Sequence, residues 1–81
     1  MLQLSDRWAA RLISQGESGM GYQVATVILR DGQRLDGALI VGGVITRISG
    51  RPDIPFGEAD IADIVVTHDK RYLAAGPKAS R

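Results

Sequence analysis

The chain has 81 residues, of which 44% are hydrophobic and 23% charged, with no cysteine and a single histidine. That is room for one domain; it excludes disulfides and thiolate zinc sites, and the lone histidine excludes two-histidine metal motifs. Net charge is +1, yet residues 1–67 hold six arginines against eight carboxylates, while residues 68–81 hold Lys70, Arg71, Lys78 and Arg81 against Asp69.

A solvated basic tail is the expectation from cations spread so thinly, because phosphate binding recruits a denser set of contacts. No apolar run approaches the roughly 20 residues that cross a bilayer. The start, Met1 to Arg7, has neither a basic leader nor a continuous apolar stretch, so no signal peptide is expected and the default location is cytoplasmic. A core this small usually needs reinforcement. With disulfides and thiolate metal sites excluded, self-association is the support to expect.

In chain order, Ser5 and Asp6 are both suited to cap a helix. Leu4, Trp8 and Leu12 then recur every four residues with Ala9 and Ile13 beside them, while Arg7 and Arg11 fall on another stripe. This predicts an amphipathic helix over residues 5–14, ended by Gly16 and docked through its Trp8 stripe. Gln15 to Tyr22, with Gly16, Gly19 and Gly21, reads as a loop.

Val24 to Leu29 is rich in β-branched residues and predicts a strand. Asp31-Gly32 supplies positive φ at little cost and predicts a hairpin turn. On the returning strand, Arg34 to Val41, simple alternation sends Leu35, Leu39 and Val41 to one face and Arg34, Asp36 and Ala38 to the other. Gly37 in mid-strand predicts a sharp bend or a close approach. Gly42-Gly43 predicts a second hairpin, leading into Val44 to Ile48.

Pro52 and Pro55 then interrupt regular structure. Ile61 and Ile64, three apart behind Glu58 and Asp60, suggest one helical turn between Phe56 and Ala62. Asp63 to His68 is the last strand, with Val65 and Thr67 opposite Ile64, Val66 and His68. The resulting expectation is a mainly β fold with one N-terminal helix, an antiparallel bent sheet of four to five strands. An SH3- or Sm-like small barrel is one form it can take. Residues 1–73 form the expected domain, and 74–81 a disordered tail.

Few residues suggest chemistry. His68-Asp69 pairs an imidazole with a carboxylate, but adjacent strand residues face opposite ways and no motif supplies a nucleophile. Glu58, Asp60 and Asp63 do not follow a calcium-loop spacing, so no metal and no cofactor is expected. The Gly16–Tyr22 loop lacks the lysine and hydroxyl of a phosphate loop. Its Met20 and Tyr22 are apolar groups that either pack under the sheet or offer a surface to a partner. Arg34 and Arg47 are the thin case for nucleic-acid contact.

Two resemblances follow from these segments. Val27 to Gly32 followed by Gly37-Ala38-Leu39 resembles the first motif of Sm-like proteins, whose bent small barrels form rings and often bind RNA. Where that family has Asp and Asn after the strand, this chain has Val41-Gly42-Gly43, and the second motif's Arg-Gly is missing near Ile64 to His68. The RNA-contacting residues therefore do not carry over. Glu17 to Gln23, Ile54-Pro55-Phe56 and Val66 to Lys70 resemble segments of short bacterial proteins of unknown function. That likeness implies no activity, and Arg71-Tyr72 departs from it in a way that marks Tyr72 as a docking residue.

The function these readings favour is a non-catalytic binding or assembly module, acting through a homo-oligomer or a protein partner, with Met20, Tyr22, His68 and Tyr72 as its surface. An Sm-like nucleic-acid module is one alternative. A small enzyme using His68 with a nearby carboxylate is the other.

Overall fold

The computed structural model describes residues 1–69; Tyr72 and the expected tail over 74–81 lie outside the described residues. Five strands and a helix follow one another as β1 (Leu2–Gln3), α1 (Asp6–Gln15), β2 (Tyr22–Leu29), β3 (Arg34–Val41), β4 (Val44–Ile48) and β5 (Ile61–Val66), with a 3-10 turn at Glu58–Asp60. The strands form one antiparallel sheet in the order β1-β4-β3-β2-β5, curled into a half-barrel. The predicted fold class and both hairpins are those observed. Among the described residues no helix is long and apolar enough to cross a membrane.

The curl has a local cause repeated three times. Ala25 pairs with Ala38 but Val27 with Leu35, so β3 carries an extra residue at Asp36-Gly37, where Gly37 takes φ 72°. Ile40 pairs with Ile45 but Leu39 with Arg47, leaving Thr46 as the extra residue of β4. Ile28 pairs with Asp63 but Leu29 with Ile61, leaving Ala62 as that of β5. Each bulge bends its strand and raises its twist. Each also shifts the alternation by one, so inward-facing residues fall three apart: Leu35 and Ala38, Ile45 and Ile48, Ile61 and Ile64.

Two expectations are corrected by this. After the Gly37 bulge, Ala38 and Ile40 face the core of β3, whereas Val41 is 43% exposed; unbroken alternation assigned them the other way round. The helical turn exists, but the Ile61–Ile64 spacing belongs to the Ala62 bulge in β5 and not to a helix. The last strand also ends at Val66, and His68 sits beyond it with φ 58°.

Helix α1 lies across the concave face, with Leu4, Trp8 and Leu12 in the same buried cluster as Ala25, Val27, Ile40, Ile45, Ile61 and Ile64. Side chains at both helix ends fasten it. At the C-terminus, where carbonyls lack intrahelical partners, Gln23 Nε2 donates to the carbonyls of Leu12 and Gly16, both at 2.7 Å. Arg11 makes a two-pronged ion pair with Asp63 on β5, at 3.0 and 3.1 Å.

Gln15 does something less common. Its Nε2 donates to the Ile64 carbonyl (3.0 Å) and its Oε1 accepts the Val66 N–H (2.8 Å), so one amide side chain takes the place of a neighbouring strand on the outer edge of β5. A bare edge invites pairing with another chain. Gln15→Ala is therefore expected to cost about 1–2 kcal/mol, the net worth of two such bonds. Amide exchange at Val66 should rise with it, read by hydrogen–deuterium exchange; unchanged protection at Val66 counts against this role.

At the N-terminus the expected cap is replaced. Ser5 occupies the cap position, but its hydroxyl and its N–H both donate to Glu58 Oε2 at 2.7 Å and cap nothing in the helix. These two bonds hold the Glu58 carboxyl below the usual glutamate range. Stability from a carboxyl lowered in the folded state is fully present above its unfolded pKa and is lost as pH falls through the folded value. Wild-type protein should thus lose more stability than Glu58→Gln between neutral pH and pH about 3, measured by urea midpoints. Parallel curves for the two proteins contradict the linkage.

Candidate functional site

The glycine-rich loop Gly16–Gly21 connects α1 to β2 and borders two features of interest. The first is a corner where distant segments meet. Ser18 is buried; its Oγ accepts the Val24 N–H at 2.8 Å and lies 2.8 Å from His68 Nδ1. A hydroxyl has one proton and two acceptor sites, so Ser18 Oγ can accept the Val24 N–H and still meet either tautomer of His68 at Nδ1. The N–H groups of Thr67 and His68 both donate to the Val24 carbonyl, at 2.9 and 3.1 Å. The loop and the end of β5 are thereby tied to the same residue of β2.

Ser18 escaped the sequence reading because it belongs to no nucleophile motif. Its place beside His68, fifty positions away, is set only when β2 and β5 pair. A serine–histidine contact is the starting arrangement for nucleophilic catalysis. Here the hydroxyl oxygen is also buried and engaged by a backbone amide, so the pair clasps the loop to the end of β5.

The other residues singled out from the sequence divide. Tyr22 is half-buried, its ring standing over Gly19 so closely that any Cβ there would run into it. Met20 is 96% exposed, so packing holds for Tyr22 and not for Met20. His68 is exposed beside Ser18, and Tyr72 lies outside the described residues. Arg34 pairs with Ile28 at one end of β3 and Arg47 with Leu39 further along. They stand roughly 13 Å apart at strand spacing, and Asp36, which accepts the Thr26 hydroxyl, falls between them. The three carboxylates weighed as metal ligands each serve a different partner: Glu58 holds Ser5, Asp60 the Gly57 N–H, and Asp63 Arg11. Among the described residues no group of three or more potential metal ligands occurs.

The second feature is a groove of about 520 Å³ on the other side of the same loop. Its apolar surface comes from Leu4, Ala9, Leu12, Ile13 and Ile40, and its far wall from Gly42-Gly43 of the β3–β4 turn. Both glycines have positive φ, 57° and 78°, as a two-residue hairpin requires, and that keeps the wall free of side chains. The Leu4 N–H bonds the Gly43 carbonyl at 2.9 Å, which closes the floor. Ile13 is 78% exposed on the helix side.

The cause is the width of the helix's apolar stripe. Leu4, Trp8 and Leu12 meet the sheet, and Ala9 and Ile13, on the flank of the same stripe, overhang the groove. Among the described residues, the charged ones lining it, Asp6 and Glu17, are both acidic. The volume lies within the range of pockets that bury a small ligand or an inserted side chain.

Fold and site together define a helix-capped antiparallel half-barrel with an apolar, acid-rimmed groove. Comparison of this chain with protein-family models, curated proteins and solved structures gives no match.

Proposed function

We propose that this protein is a small non-catalytic binding module whose groove takes an apolar side chain or two from a protein segment flanked by cations. The observation that carries the reading is Ile13. A large aliphatic side chain 78% exposed on a helix otherwise docked by its apolar stripe borders a cleft whose charged residues, among those described, are Asp6 and Glu17. Apolar surface gains by being covered, and the acidic rim selects what covers it. The Ser18–His68 clasp supports the same reading, since it fixes the loop that carries Glu17 and Gly21 along the groove.

Selection of random dodecapeptides on the full-length protein tests this. Enriched sequences should carry one or two apolar residues between lysines or arginines, and should shift the NMR signals of Ile13, Gly42 and Gly43. Ile13→Asp should weaken such binding about 10- to 100-fold, the loss of one buried aliphatic contact, with thermal stability almost unchanged because Ile13 is exposed. Peptides that move Leu39 and Arg47 instead place the binding surface on the convex face and overturn the reading.

A further inference from the structure

We propose that Asp31-Gly32 is a modification site, where the Asp31 carboxyl closes on the Gly32 nitrogen as a cyclic imide and reopens as isoaspartate. Gln33 restrains the step. The chemistry balances with water alone. The Gly32 nitrogen bonds to Asp31 Cγ, its proton and the carboxyl hydroxyl leave together as water, and a succinimide ring forms. Water then adds to one of the two ring carbonyls. Breaking the C–N bond at Cγ restores aspartate. Breaking the other leaves the chain running through the side-chain carbonyl, with one extra methylene in the backbone. Glycine favours closure because no side chain shields its nitrogen and its backbone turns freely.

The sequence holds two such pairs, Asp31-Gly32 and Asp36-Gly37, and their places in the fold set them apart. Asp31 and Gly32 are both exposed at the tip of the β2–β3 hairpin. A Cβ on Gly32 would meet nothing within 4 Å, so the ring has room to form. The turn is held by the Gly32 N–H on the Leu29 carbonyl and the Leu29 N–H on the Gln33 carbonyl, both at 2.9 Å. Freeing the attacking nitrogen breaks the first of these and opens only the end of the hairpin, a local event. Asp36-Gly37 lies inside β3, between β2 and β4. Gly37 is buried and its carbonyl accepts the Ser49 N–H. Asp36 is held through its carbonyl by the Ser49 hydroxyl and through Oδ1 by that of Thr26. Closure there requires parting the sheet, so that pair stays aspartate.

The restraint is built from Gln33. Its N–H donates to Asp31 Oδ1 at 3.0 Å and its Nε2 donates to Oδ2 at 2.7 Å. Both carboxyl oxygens thus face Gln33, one residue past the nitrogen with which the carboxyl must react. Closure also needs the protonated carboxyl, since a carboxylate has no hydroxyl to lose as water. The Gln33 side-chain bond, then its backbone bond, hold the Asp31 carboxyl below the usual aspartate range. A lowered pKa shrinks the protonated fraction at every pH above it. The two bonds therefore oppose the reaction by geometry and by charge together. Once isoaspartate forms, its extra methylene falls within the turn, and the bonds from Leu29 to Gly32 and Gln33 lose their spacing.

Ageing of isotope-labelled full-length protein in mildly acidic buffer, followed by NMR, tests this beside a synthetic peptide of residues 28–35 that gives the unrestrained rate. A second set of Gly32 and Gln33 amide signals should grow in, more slowly than in the peptide, while Gly37 keeps one signal. An isoaspartate-specific protein methyltransferase should methylate the aged protein in proportion. It should leave aged Asp31→Glu unmethylated, because the longer side chain closes its ring far less readily. Gln33→Ala should convert about 2- to 10-fold faster than wild type, the worth of one hydrogen bond read as a rate. Gly32 signals unchanged in both wild type and Gln33→Ala once the peptide has converted overturn the site. Conversion at Gly37 ahead of Gly32 overturns the assignment, and equal rates in wild type and Gln33→Ala remove Gln33 as the restraint.

Discussion

Trp8→Ala is expected to destabilise the protein by about 3–5 kcal/mol, the usual range for truncating a buried aromatic to alanine. A chain of this length has roughly 4–12 kcal/mol to lose at ordinary per-residue stabilities. The variant should therefore be partly unfolded at 37 °C or melt at least about 12 °C lower, as thermal denaturation followed by circular dichroism will show. The expectation is large because α1 makes the concave face a core. Trp8, 5% exposed, stands in the helix between Leu4 and Leu12, in the cluster that holds Ile40, Ile45, Ile61 and Ile64.

Trp8→Phe is the informative companion. Trp8 Nε1 is the buried side-chain polar atom without a hydrogen-bond partner among the described residues. Phenylalanine removes that donor along with part of the ring, so the transfer loss is offset by the relief of an unsatisfied group. Its cost should fall well below that of alanine. Phenylalanine as damaging as alanine contradicts this. The Arg7 guanidinium, 5.1 Å from the ring centroid, adds little at so exposed a position.

Ser18→Ala is the second large effect, about 1–3 kcal/mol, or roughly 5–20 °C in melting temperature for a domain of this size. The substitution leaves the Val24 N–H buried without its acceptor and frees the His68 imidazole. Hydrogen exchange at Val24 should quicken by 1–2 orders of magnitude, the same energy expressed as a population. His68→Ala should cost less, because it removes an exposed ring and leaves the buried bond in place. A Ser18→Ala protein within about 0.5 kcal/mol of wild type, the range of ordinary surface changes, rules out the clasp. The two variants also separate clasp from catalysis. A clasp predicts that stability follows Ser18, whereas an activity would be lost equally in both.

The groove depends on the same economy of small residues. Gly42-Gly43 makes the β3–β4 turn with no side chain to fill the cleft, and Gly16 and Gly21 do the same on the loop side. Alanine at Gly42 would meet open space, yet its φ of 57° strains any residue with a Cβ. The turn is thus held by backbone conformation, and the shape of the groove follows from it.

What the sequence determines here is local. The helix from Asp6 to Gln15 follows from a four-residue apolar repeat and a terminal glycine. The hairpins follow from Asp31-Gly32 and Gly42-Gly43, whose conformational freedom is a property of the residues themselves. The two-residue strand β1 carries too few positions to show a period, and it forms only because β4 offers an edge.

The inward face of each strand was decided elsewhere. A bulge is a mismatch between the residue counts of two paired strands, so alternation along one strand does not contain it. The isoleucine pairs three apart, Ile45/Ile48 and Ile61/Ile64, were the visible trace, legible as bulges once those runs are known to be strands. Ser18 with His68, Gln15 with the edge of β5, and the groove beneath Ile13 are further removed still. They join positions that the chain separates and only the folded sheet brings together, since a side-chain hydrogen bond or a cleft depends on distance in space and leaves no period in the sequence.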